Sequence, residues 1–155
     1  MKKFNNRNYF VVIDQSEEMW TAVKFAVRRA KVTKSSITTV SFIQSVSEGM
    51  MLTSLTEKIL DKDQIETEKL KHKEVHSFIH EKSKIKAKSE IFKFNEIDEF
   101  VNFLNKYSSN SNIILATSKD IGKPGYLIDK LIYEKSSSLH LSLIHISEPT
   151  RPLYI

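Results

Sequence analysis

The strongest constraint on the fold is an alternation: short, β-branched apolar runs are separated each time by a stretch with helical periodicity. Residues 8–13 (NYFVVI) form a continuous apolar run closed by Asp14-Gln15-Ser16, the pattern of a strand buried on both faces. Ser16 is placed to cap a helix with Glu17 and Glu18 in its first turn, where acidic groups favour the helix dipole. Met19, Ala22, Val23, Ala26, Val27 and Ala30 recur at three- and four-residue spacing, which makes one apolar face. This helix is predicted to end near Val32. Residues 37–43 (ITTVSFI) are a second strand, short and β-branched.

The rest of the chain repeats the alternation. After a loop over 44–54, residues 55–83 read as a long charged helix with a thin apolar set of Leu55, Ile59, Leu70, Val75, Phe78 and Ile79. Residues 87–94 are a third strand, and Ile97, Phe100, Val101, Leu104 and Tyr107 mark a third helix. Residues 113–117 (IILAT) are a fourth buried strand, and 126–134 a fourth helix with Leu127 and Leu131 facing inward. The order predicts one α/β domain, a doubly wound parallel sheet with helices on both faces and right-handed crossovers.

Composition narrows the function classes. No run of about 18 apolar residues occurs, so a membrane-spanning helix is not expected. The apolar stretch behind the basic start is too short for a signal-peptide core. The 155 residues hold no cysteine, which removes disulfides, thiolate nucleophiles and cysteine zinc sites and fits a cytoplasmic location. The net charge is +5. Lys82, Lys84, Lys86 and Lys88 alternate into the third strand, but Glu66, Glu68, Glu74 and Glu81 intersperse and no aromatics interleave; nucleic acid is therefore not the expected partner. His72, His76 and His80 follow one another at four-residue spacing, which can chelate zinc. Without a closed ligand set they read as a solvated helix face, so no metal site is expected. No Gly-x-Ser-x-Gly elbow or other catalytic constellation occurs, and the chain is read as a non-enzyme.

The end of the chain is read separately. Residues 141–151 (LSLIHISEPTR) match, codon for codon, one frame of a transposon-based sequencing adapter, so 1–140 are read as the domain and 141–155 as a non-native tail, excluded from functional reasoning. The run LHLSLIHI over 139–146 is apolar and free of proline and glycine. It can serve as a surrogate fifth strand over about 141–146, pairing with the fourth through its backbone.

The block YFVVIDQSEEMWTAVKFAVRRAK resembles the opening of universal stress protein domains of the UspA type: an apolar strand, Asp-x-Ser, then an alanine-rich helix with basic residues at its end. The segment ILATSKDIGKPGYLIDKL is similar to a short-loop branch found in alphaproteobacteria. The resemblance covers residues 8–140, with 44–95 matching in architecture only. It implies five parallel strands in the order 3-2-1-4-5, of the adenine nucleotide alpha hydrolase-like kind, a role in the bacterial stress response, and a homodimer contact through the last strand, weakened here. It also implies a ligand position beyond the carboxyl ends of strands one and four, a topological switch point. Carried over residue by residue, the candidate nucleotide site comprises Asp14, the main chain of Phe42, Ser118, Gly122, Gly125 and Tyr126.

Family members that bind ATP carry Gly-x-x-Gly, a spacer, and then Gly-Ser or Gly-Thr, so that backbone amides approach the phosphates. Here Gly122 and Gly125 supply the first pair, while Lys135 stands where the later glycine is required. Alternatively Gly125 aligns with the final glycine, and Tyr126 replaces the hydroxyl residue. Pro124 removes a backbone donor in either case. Two readings follow: a domain acting by association with no obligatory nucleotide or other cofactor, or an ATP- and magnesium-binding member with a degenerate phosphate loop.

Overall fold

The computed structural model describes residues 7–13, 18–43, 54–93, 96–107, 110–117 and 142–147. Strand β1 is Asn8–Val12, helix α1 Glu18–Thr33, β2 Ser36–Ile43, α2 Ser54–Ser83, β3 Lys88–Lys93, α3 Ile97–Leu104, β4 Asn112–Thr117 and β5 Ser142–Ser147. The strands form one parallel sheet in the order β3-β2-β1-β4-β5. The expected helix over 126–134 lies outside the described residues. A fifth strand, expected at about 141–146, is present as β5, which runs beside β4 from Asn112↔Ser142 to Thr117↔Ser147.

Period-two alternation along the strands sorts their side chains onto two faces. On one, Tyr9, Val11, Ile37 and Ile114 meet the apolar stripe of α1 (Met19, Ala22, Val23, Ala26, Val27, Ala30) together with Val75 and Ile79 of α2. Ile144 of β5 packs against the same cluster. On the other, Phe10, Val12, Val40, Ile113 and Leu115 meet Ile97, Phe100, Val101 and Leu104 of α3. Every strand residue expected in the central sheet (Phe10, Val12, Ile37, Val40, Ile113, Leu115) is buried.

The third helix is shorter than its periodicity suggested. It stops at Leu104, and Tyr107, expected as its last apolar residue, instead sets its ring edge-on to Phe10 at 4.8 Å. Leu70, counted in the inward set of α2, is 69% exposed. The buried line of α2 runs through His72, Val75 and Ile79, a stripe that leaves Leu70 off its axis.

Two helices end through lysines in the left-handed region. Lys34 has φ 54°, and the Ser35 amide donates to the Ala30 carbonyl at 3.0 Å, the outer bond of a Schellman motif. Lys84 has φ 63°, and its own amide donates to the His80 carbonyl at 2.8 Å. A Cβ in this region costs about 1 kcal/mol that glycine avoids. Lys34→Gly is therefore expected to raise stability by about 0.5–1 kcal/mol, read as a higher midpoint in thermal unfolding followed by circular dichroism. A lower midpoint would contradict the assigned backbone.

The amino ends of the central strands are closed by polar contacts. Asn8 N donates to Ser111 Oγ at 2.8 Å, Thr38 Oγ1 to Asn8 Oδ1 at 3.2 Å, and Arg7 Nη2 to Asn112 Oδ1 at 3.1 Å. The opposite, carboxyl end is where the strand order reverses between β1 and β4.

Candidate functional site

The carboxyl end of the sheet is the position at which open α/β sheets hold ligands. β1 and β4 are adjacent and both run toward it, ending at Val12 and Thr117. Of the nucleotide-site residues, Asp14, Ser118, Gly122, Gly125 and Tyr126 lie outside the described residues. Phe42 is described. It stands next to the last residue of β2 and pairs in register with Phe92 of β3. Its ring packs edge-on against Phe100 at 5.0 Å and tilted over Phe92 at 6.0 Å. That packing uses the side chain in the core under α3, so any ligand role falls to its main chain.

A second polar constellation, built where α2 crosses β2, was not anticipated from the sequence. His72 is only 2% exposed. Its Nδ1 lies 2.6 Å from Thr39 Oγ1 and its Nε2 2.8 Å from Ser41 Oγ. His76 is half-buried, with Nε2 2.7 Å from the same Thr39 oxygen. Thr39 Oγ1 in turn donates to the Lys88 carbonyl at 3.2 Å. The expectation of a solvated histidine face is thus corrected: His72 is in the core, His76 at its margin, and only His80 is exposed.

Neutral imidazoles suit this network: in a neutral His72 one ring nitrogen donates and the other accepts, so the ring serves the Thr39 and Ser41 hydroxyls together, with the direction set by its tautomer. Electrostatics agree with two neutral rings. Burial, reinforced by the neighbouring His76 and Lys71 and opposed by Glu68, lowers the His72 pKa from 6.5 to about 4. Burial also lowers that of His76, opposed by its hydrogen bond to the Lys88 backbone.

The sequence held a signal for this pairing. Ile37, Thr39, Ser41 and Ile43 share one face of β2 by alternation, so two hydroxyls sit in the middle of a buried face. Buried hydroxyls require partners, and the four-residue histidine spacing on the covering helix supplies them. Among the described residues, no group of three or more histidine, cysteine, aspartate or glutamate side chains could hold a metal ion. Both nitrogens of His72 are already committed to hydroxyls.

Beside this network, α2 and the start of β3 flank an open groove of about 800 Å³, lined by His72 and His76 themselves and, among others, by Lys69, Lys73, Lys84, Lys86, Ser77 and Ser89. It lies toward the amino end of β3, away from the switch point. No described helix is long and apolar enough to cross a membrane.

No protein-family model and no curated protein matches the sequence. Solved structures do match the fold. The universal stress protein UspA from Lactobacillus plantarum superposes with a TM-score of 0.69 at 14% identity, over 92% of this chain and 98% of its own. A universal stress protein from Archaeoglobus fulgidus gives 0.62 at 15% identity, over 92% and 94%. A universal stress protein solved in complex with cAMP gives 0.51 at 11% identity, over 91% and 97%. The chain has the universal stress protein fold, as its opening residues implied.

Proposed function

We propose that this chain is a stress-response module of the universal stress protein type that acts in the cytoplasm by association rather than catalysis, with no obligatory nucleotide. The observation that carries the reading is the sheet order β3-β2-β1-β4-β5 with helices on both faces, matched over nearly the whole length of UspA from Lactobacillus plantarum. The sequence supports the second half of the reading. Gly122 and Gly125 are the only glycines after Gly49, too few for the amide cradle that a triphosphate needs. Homodimerisation belongs to the same reading, since association is how a domain without a catalytic set acts.

A second reading is ATP binding with magnesium through Asp14, the Phe42 main chain, Ser118, Gly122, Gly125 and Tyr126. The neighbour solved with cAMP favours it, because an adenine nucleotide is held by that protein. Calorimetric titration with ATP and magnesium separates the two. The expected result is no saturable heat in the micromolar range, for the parent chain and for Asp14→Ala alike. Micromolar binding that disappears in Asp14→Ala would replace the first reading with the second.

A further inference from the structure

The groove between α2 and β3 carries a concentrated and uncompensated charge. Lys69, Lys73, Lys84 and Lys86 line it and are all exposed. Among the described residues none of these four lysines has an ion-pair partner; the one described pair, Lys71–Glu68 at 2.7 Å, lies outside the lining. Glu81 is the single carboxylate in the lining. The His72–Thr39–His76 network forms the floor of the groove and holds α2 against β2, so the helical wall is fixed.

We propose that this groove is the docking surface for an acidic, extended peptide segment of a partner protein. Charge complementarity supplies the attraction, and the spacing of the charges selects the shape. From Lys69 to the end of α2 at Ser83, next to Lys84, the helix rises ~21 Å, the length of about six residues of extended chain. Positive charge spread along such a line suits a row of carboxylates better than one phosphate. A phosphate site would use converging backbone amides or an arginine fork, and the lining holds no arginine and no glycine. Single-stranded nucleic acid is disfavoured because no phenylalanine, tyrosine or tryptophan lines the groove to stack a base, and the rings of His72 and His76 are bonded to Thr39. The proposal gives the association reading a partner chemistry and rests on it to that extent. It concerns the opposite end of the sheet from the switch point, so nucleotide titration tests that reading and peptide titration tests this one.

The experiment is fluorescence anisotropy with a labelled hexaglutamate peptide and the full chain. Saturable binding at low ionic strength is expected, weakened about tenfold or more in 0.5 M salt. The charge-reversed variant Lys73→Glu/Lys84→Glu/Lys86→Glu should lose at least about tenfold in affinity, with its thermal midpoint confirming that it folds. Lys24→Glu/Lys31→Glu, on the separate basic hollow beside Phe78, should bind like the parent. Amide resonances of Ala87 and Ser89 should shift on titration. Absence of binding, equal weakening by the Lys24/Lys31 variant, or tighter binding of an oligouridylate or inorganic polyphosphate of the same charge would each overturn the proposal.

Discussion

Val12→Asp is expected to leave the chain unfolded at every temperature. Val12 is 8% exposed and faces the α3 side of the sheet among Phe10, Val40, Ile97, Phe100 and Leu115. Replacing it forfeits ~1.5–3 kcal/mol of apolar burial. It also places a carboxylate in an apolar cluster, at a cost of several kcal/mol even if the group stays protonated. Domain stabilities are only about 5–15 kcal/mol, so the sum is on the scale of the whole. Far-UV circular dichroism with a urea titration reads the outcome, and a soluble variant with a cooperative transition would show β1 to be misplaced. Val32→Asp is the matched control. That valine lies on α1 at 76% exposure, and the same change there should stay within about 0.5 kcal/mol.

The second large effect is an acid-driven loss of stability traced to His72. Its pKa is about 4 in the folded chain against 6.5 for the free side chain. Between those values the unfolded chain binds more protons than the folded one, so stability rises with pH across the window and falls as pH drops from 6.5 toward 4. A shift of this size corresponds to up to about 3 kcal/mol, and the half-buried His76 moves in the same direction. Urea unfolding midpoints measured from pH 7 to pH 4 should decline accordingly.

Variants assign the effect to the ring. His72→Leu leaves the Ser41 hydroxyl without its partner on a buried face and should cost about 2 kcal/mol. Adding Ser41→Ala removes the stranded group and should recover part of that loss, because replacing both partners of a buried hydrogen bond costs less than replacing one. The double variant should also show a flatter pH dependence between 6.5 and 4. An unchanged acid limb there would locate the titrating group elsewhere.

The sequence determined the layer order, and the reason is local. An apolar run such as NYFVV has no polar side to turn to water and must be buried on both faces. The alanine-rich stripe of α1 has only one face to bury, and the alternation of the two leaves a parallel sheet between helices as the consistent packing. Even β5 was legible, since SLIHIS needs only backbone pairing with β4 and one inward residue, Ile144, to hold its place. What the tertiary structure alone decided is how each long helix turns. α2 is charged throughout, so its periodicity did not say whether Leu70 or His72 faced the sheet. The choice fell to Thr39 and Ser41, whose hydroxyls open onto that face and bond an imidazole where leucine would strand them. The four groove lysines likewise look like an ordinary solvated run in sequence. They line one groove only because the left-handed turn at Lys84 reverses the chain from α2 into β3, which puts Lys86 on the groove that Lys69 and Lys73 flank from the helix. Pairings of this kind join residues some thirty positions apart, and no local periodicity encodes them.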